Sequence, residues 1–199
     1  MYYKIMRYIK PKYYDKFECI AHECPDTCCA GWQIMIDEDS LEKYWKQEGA
    51  FGKRLRNSID WQEGAFCQNN RRCAFLNDNN LCDLYTALGE DSLCETCKKY
   101  PRHEEEYEGL REWSLSLSCP VAARLILEEQ DFADFIEEED DMADELEDEF
   151  EDFDLMLFTQ LEDARTVILK HLKEAEGTLE DKMSLYLQMA GQMQECIDR

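Results

Sequence analysis

Cys19-Ile20-Ala21-His22-Glu23-Cys24-Pro25-Asp26-Thr27-Cys28-Cys29 crowds four cysteines into one short stretch, and ten of the chain's 11 cysteines fall between Cys19 and Cys119. Thiolates are soft donors for zinc, copper(I) and iron–sulfur clusters, and cysteines with purely structural roles seldom crowd in this way. The competing use, a disulfide framework, needs an oxidising compartment. Met1 to Lys10 has scattered lysines and neither an apolar core nor a small-residue cleavage site, so it does not read as a signal peptide. Uncharged stretches such as Trp113 to Ala123 fall far short of the roughly 20 apolar residues that span a bilayer. The expectation is a soluble, cytoplasmic protein whose thiols stay reduced and bind metal.

Three groups of cysteines surround that stretch: Cys24-x3-Cys28-Cys29 with Cys19 upstream, Cys73-x8-Cys82, and Cys94-x2-Cys97 with Cys119 downstream. Cys94-x2-Cys97 is the most specific, because two intervening residues let both sulfurs face one ion from a tight turn or a helix start. Cys28 and Cys29 are harder to place on one metal, since adjacent side chains diverge in both strand and helix. Cys19, Cys24, Cys28, Cys29, Cys73, Cys82, Cys94, Cys97 and Cys119 outnumber the ligands of one four-coordinate site. Two metals, or one cluster with additional structural thiols, both fit. Cys67 and Cys196 stand apart and read as packing residues. The radical-enzyme spacing C-x3-C-x2-C is not met, because Gly31 occupies its last position.

The net charge of −24 is unevenly spread. Residues 1–127 hold 17 Lys+Arg against 21 Asp+Glu, residues 128–154 hold 17 acids and no base, and residues 155–199 hold 5 bases against 8 acids. Acidity is therefore local, and no basic patch exists to neutralise phosphates. That disfavours nucleic acid and anionic membrane surfaces as partners. With 44% hydrophobic and 12% aromatic residues the chain has material for a core.

The composition shift near Glu128 divides the chain into a cysteine-rich metal domain, 1–127, and an acidic helical extension, 128–199. The expected class is mainly α with short β-hairpins: a small α+β metal domain followed by helix. Asp39 and Ser40 cap a helix whose apolar face runs from Leu41, Tyr44 and Trp45 past Gly49 and Gly52 to Leu55 and Ile59. Cys73 to Cys82 reads as two extended arms around an Asn/Asp-rich turn that brings both cysteines together. Asp83 to Leu88 is a helical turn ended by Gly89. Ser92 caps a short helix stopped by Pro101. Glu112 to Ser118 alternates as a half-buried strand. Phe132, Ile136, Met142, Leu146, Phe150, Phe153 and Leu157 predict an amphipathic helix with a solvated acidic face. Thr178 caps a last helix through Leu179, Met183, Tyr186, Leu187, Met189 and Met193, a core or oligomer-contact element. Trp32 and Trp113 read as core anchors.

Phe17-Glu18-Cys19-Ile20, Asp26-Thr27-Cys28-Cys29-Ala30-Gly31-Trp32, Arg72-Cys73-Ala74-Phe75-Leu76, Leu93-Cys94-Glu95-Thr96-Cys97, Tyr100-Pro101-Arg102 and Ser114 to Pro120 together resemble the N-terminal part of the flagellin lysine N-methylase family. That family is itself similar to zinc- or iron-chelating cysteine-cluster proteins. The resemblance implies methyl transfer from S-adenosylmethionine to lysines of flagellin, in an enzyme holding a [4Fe–4S] cluster. A non-catalytic zinc- or iron-binding module is the alternative. None of the 8 glycines forms the G-x-G turn of the commonest methyltransferase fold. No catalytic base stands out. Arg102 is the candidate for gripping a cofactor carboxylate, with Glu104 as its bland surface partner, and His103 and His22 are weaker candidates for proton transfer or metal.

Overall fold

Short helices and antiparallel pairs, the mixed α+β architecture that the sequence implies, make up residues 6–130, 134–140 and 153–198, which the computed structural model describes. In chain order these are β1 (Met6–Pro11), α1 (Glu38–Lys46), α2 (Gly49–Asn57), β2 (Ile59–Asp60), β3 (Ala65–Phe66), β4 (Gln68–Asn69), β5 (Arg72–Cys73), α3 (Asp83–Leu88), α4 (Glu95–Lys99), β6 (Arg102–Tyr107), β7 (Leu110–Leu115), α5 (Pro120–Glu128), β8 (Phe135–Asp140), α6 (Leu155–Glu174) and α7 (Leu179–Ile197). They divide into two units. The cysteine unit comprises Lys12–Glu105 and Glu112–Gln130; the sheet–helix unit comprises Met1–Pro11, Glu106–Arg111 and Asp131–Arg199.

In the cysteine unit, Asp37 rather than Asp39 or Ser40 caps α1: its carboxylate accepts from the Ser40 amide at 2.9 Å. An acceptor three residues ahead of a free helical amide is all that a cap requires, and Asp37 meets it first. The apolar face expected to run through Gly49 and Gly52 is split between α1 and α2. The chain turns between them at Gln47 and Glu48, where a Cβ on Gly52 would run into the Gln47 carbonyl. Ile34 to Ile36 then lies along β3, with Ile36 N donating to Gly64 O and Phe66 N to Ile34 O. This brings Ile34 and Ile36 into a core with Tyr44, Leu55, Ile59, Phe66, Phe75 and Leu84. Arg54 ties α2 to α3 through an ion pair with Asp83 at 2.7 Å and a bond to Ala74 O, its guanidinium lying 5.1 Å from the Phe75 ring centroid.

The turn between Cys73 and Cys82 forms as its Asn/Asp content requires. Asn77 N donates to Leu81 O, Leu76 bridges Cys82, and Asn80 takes a positive φ of 56°. α3 ends at Gly89, φ 84°, as expected. The short helix before Pro101 begins later than Ser92 would place it. Glu90–Ser92 is a separate 3-10 turn, and Cys94 occupies the N-cap position of α4. The strand read over Glu112–Ser118 is β7, two residues earlier at its start, and its neighbour β6 has no counterpart in the sequence reading. Phe17, Leu115, Cys119 and Ala122 form a second small core.

In the sheet–helix unit, β1 pairs antiparallel with β8 over six residues, from Met6 opposite Asp140 to Pro11 opposite Phe135. The strand order is β6-β7-β1-β8, the tip of the β6–β7 hairpin belonging to this unit and its base to the other. The helix expected through Ile136 is therefore a strand there. A full edge of β1 satisfies the backbone, Glu137 and Glu139 stand opposite Ile9 and Arg7, and tertiary pairing overrides a modest helical pattern. Phe132, Met142, Leu146 and Phe150 lie outside the described residues, and Leu157 is in α6. Thr178 caps α7 in a reciprocal box with Asp181. Leu179, Met183, Tyr186 and Leu187 are exposed, so α7 contributes little core. Among the described residues no helix is long and apolar enough to cross a membrane.

Candidate metal centre

The loop holding Cys28 and Cys29 is built by its own side chains and then sewn to the β4–β5 hairpin. Asp26 Oδ1 accepts from Thr27 N, and Thr27 Oγ1 accepts from Cys29 N at 3.1 Å. The Cys29 carbonyl accepts from Cys73 N at 2.8 Å, and Gly31 N donates to Arg71 O. Asn70 and Arg71, both at positive φ, form the tight turn that lets β5 return to this loop.

Cys94 and Cys97 arrive from the opposite direction. Asp37 joins the starts of two helices, accepting from Ser40 N on α1 and from Glu95 N on α4 at 2.8 Å. Burial pushes its carboxyl up, but these amides more than offset that and hold it below the usual carboxylate range. Cys94 is fully buried and its thiol donates to Met35 O at 3.8 Å. Tyr44, also buried, donates its hydroxyl to Ser92 O at 2.7 Å.

Six of the nine expected ligands are linked pair by pair through their electrostatics: Cys28 with Cys29 and Cys82, Cys73 with Cys82 and Cys94, and Cys97 with Cys94, Cys29 and Cys82. Cys97 donates a thiol hydrogen bond to Cys94; that bond, then burial, then the neighbouring Cys94, Cys29 and Cys82 push its ionisation well above normal. The same bond draws Cys94 down against the opposing effect of burial. Cys28 is pushed up first by a hydrogen bond with Cys29 and then by burial. Those two thiols meet because a turn, not a strand or helix, carries them, contrary to the divergence expected from regular structure. Burial, aided by Cys82 and Cys94, raises Cys73 to about 11, and burial followed by Asp83 and Cys28 raises Cys82. The Tyr44 hydroxyl is raised by burial and then by Cys94, Cys97, Asp37 and Cys82.

The donor chemistry fits a thiophilic ion or cluster, because positive charge placed among these groups reverses the penalty that keeps them protonated. The geometry is that of two close pairs with two further thiols nearby. Among the described residues, no three His, Cys, Asp or Glu side chains already stand around one ion position.

The other expected residues lie elsewhere. Cys19 is exposed, its Sγ accepting weakly from Ala21 N at 3.5 Å, and Cys24 ends the following 3-10 turn. Cys119 is buried in the second core, near the Tyr100 hydroxyl. Cys67 precedes β4, its carbonyl accepting from Ala74 N at 2.9 Å, and Cys196 is exposed on α7. The Arg102 guanidinium lies 4.9 Å from the Phe17 ring centroid and 6.0 Å from that of Tyr14, and donates to Phe17 O. Glu104, its expected surface partner, instead accepts from the Trp113 indole at 2.7 Å. Trp32 is not a core anchor: it is 40% exposed. Asp37 was not singled out in the sequence, and Tyr44 and Tyr100 entered only as a helix-face residue and a motif residue; for Asp37 the readable signal is an acid three residues ahead of Ser40.

A 131-residue stretch is 29% identical to the flagellar biosynthetic protein FliU of Salmonella muenchen, covering 61% of this chain and 78% of that protein. The lysine-N-methylases of Salmonella typhimurium and Salmonella choleraesuis are each 28% identical over 131 residues, again 61% of this chain. Over this stretch the chain is related to proteins named for lysine N-methylation and for flagellar biosynthesis. It spans about a third of the length of either lysine-N-methylase, 33% in both cases. No family model and no solved structure matches the chain.

Proposed function

We propose that the cysteine unit is the metal-binding part of a protein-lysine N-methyltransferase that acts on flagellin with S-adenosylmethionine as methyl donor. The observation that carries this reading is that five thiols from four separate segments, Cys29, Cys73, Cys82, Cys94 and Cys97, lie in or against one core with the buried Tyr44. The names of the relatives support the reaction class. The proposed ligands of a [4Fe–4S] cluster come from Cys28, Cys29, Cys73, Cys82, Cys94 and Cys97. Such a group, when bound with one iron free of cysteine, supplies a Lewis-acidic position for the amino and carboxylate groups of the methyl donor.

The chain's own residues supply the rest. Arg102 uses one N–H on Phe17 O and keeps further donors for a carboxylate. Its rings, Phe17 and Tyr14, hold the guanidinium in place. Methyl transfer breaks the carbon–sulfur bond, forms a carbon–nitrogen bond and leaves the electron pair on sulfur. The accepting amine must be neutral, which a desolvated approach beside the buried thiols favours.

The test is anaerobic reconstitution with iron and sulfide, then incubation with methyl-labelled S-adenosylmethionine and flagellin. Lysine-bound label is the expected result. Unmodified flagellin in the presence of cluster-loaded protein overturns the reaction. A second reading, a non-catalytic zinc or iron module, is favoured by one observation: FliU, of which the chain spans the larger share, is named for flagellar biosynthesis and not for methylation. Colourless zinc-loaded protein without the visible absorbance of an iron–sulfur centre selects that reading.

A further inference from the structure

α7 carries more apolar surface than its neighbour covers. At about 100° per residue, its apolar positions sweep from Leu185 and Met189 across to Tyr186, Leu179 and Met183. That arc is about twice as wide as the stripe a helix needs to pack on one side. Leu185, Met189 and Met193 are partly buried, on the side where α7 packs on α6 and Lys182 donates to Leu172 O. The other half is open. Leu179, Met183, Tyr186 and Ile197 are 73%, 56%, 45% and 46% exposed.

Charge is missing from the same place. Met183 to Gln194, about three helical turns, holds no Asp, Glu, Lys or Arg, in a chain whose net charge is −24. Carboxylates draw basic partners to an acidic protein, and they drive its own copies apart. A charge-free apolar face therefore suits a partner of the same sign.

The spacing names that partner. Leu179, Met183, Tyr186, Ala190, Met193 and Ile197 follow at intervals of four and three, the repeat of a helix-pairing seam. Laid antiparallel on itself about its midpoint, the seam is self-complementary. Tyr186 falls opposite Ala190, Met183 opposite Met193 and Leu179 opposite Ile197, so the largest residue meets the smallest. A parallel pairing sets Tyr186 against Tyr186 and gathers Glu180 and Asp181 of both copies at one end.

We propose that α7 is a self-association surface, on which a second copy of this chain packs its own α7 antiparallel. The seam is about 28 Å long and requires neither metal nor methyl donor, so it stands apart from the methyl-transfer reading.

Sedimentation equilibrium of the 199-residue chain in the presence of a reductant tests the pairing. A monomer–dimer equilibrium is expected, tightened by added sodium chloride, which screens repulsion between two acidic copies. Tyr186→Glu is expected to weaken it at least about thirtyfold, the scale of a central interface side chain. Because Tyr186 is half-exposed in one copy, circular dichroism and unfolding below the dissociation constant stay as they were. Leu179→Lys and Ile197→Glu each weaken the dimer. Combined in one chain they restore it in part, since position 179 of one copy then faces position 197 of the other; a parallel dimer gains nothing from the combination. A monomer at every concentration leaves the face to some other partner and overturns the proposal. So does a dimer that salt loosens, one indifferent to Tyr186→Glu, or one that the double substitution does not rescue.

Discussion

Tyr44, Leu55, Phe75 and Leu84 are almost wholly buried in the cysteine unit, while Leu179 and Leu187 of the sheet–helix unit are 73% and 66% exposed. Both units contain ample apolar side chains at helical spacing. What separates them is crossing segments. In the cysteine unit, a loop, two hairpins and five short helices bring side chains in from several directions, Asp37 and Arg54 pinning the ends of four of them. In the other unit, α6 and α7 expose most of their apolar residues, and Ile168 is the buried residue of α6. A hydrophobic stripe is raw material for a core, and it becomes one only where other segments close over it.

Metal removal is expected to break the contrast most severely. If six thiols share an ion or cluster, chelation or Cys97→Ser costs the cysteine unit about 4 kcal/mol or more at free metal a thousandfold above Kd. Calorimetry should show its transition lowered and that of the sheet–helix unit unchanged, while Cys67→Ser leaves metal content as it was. Core truncation comes next. Phe75→Ala, which empties a site against Phe51 and Phe66, is expected to cost about 3–5 kcal/mol in denaturant unfolding, whereas Leu187→Ala stays within about 0.5 kcal/mol.

Asp37→Ala leaves amides of two helix starts unpaired and is expected to cost about 1–2 kcal/mol. Because folding holds this carboxyl below its usual range, its contribution is present above the ordinary carboxylate pKa and disappears as pH falls through the folded value. The thiols give the opposite sign. Without metal, Cys73 favours the folded state below the ordinary thiol pKa of about 8.5, and that contribution is lost as pH rises toward about 11. Metal uptake, which expels protons, strengthens with rising pH over the same interval. The smallest effect belongs to Arg102→Ala, about 1 kcal/mol of unfolding free energy with unchanged metal content, read by chemical denaturation and elemental analysis.

Local chemistry was legible in the sequence wherever few residues decide the outcome. The Asn/Asp turn before Cys82, the Gly89 stop and the Thr178 cap all depend on backbone preferences within about four residues. Distant pairing was hidden. Nothing local distinguishes Phe135-Ile136-Glu137 as a strand until β1 is set beside it, and β6 shows little alternation because its middle residues face solvent. At the candidate centre, the cysteine groups were visible by spacing, but which thiols stand near one another was not. It depends on the turn at Cys28–Cys29, the β4–β5 reversal and the Asp37 link, each a tertiary event. Trp32 misled for the same reason: its hydrogen bond to Cys28 O keeps it at the surface.

The pairing of β1 with β8 also sets an order of events on the ribosome. Met6 to Pro11 emerges early, but Phe135 to Asp140 must be translated before that edge is closed. At typical elongation speeds the delay is on the order of 10 s. Throughout it the nascent strand presents an unsatisfied backbone ladder, which other chains could join, and Arg7 and Lys10 keep it charged and soluble until its acidic complement appears.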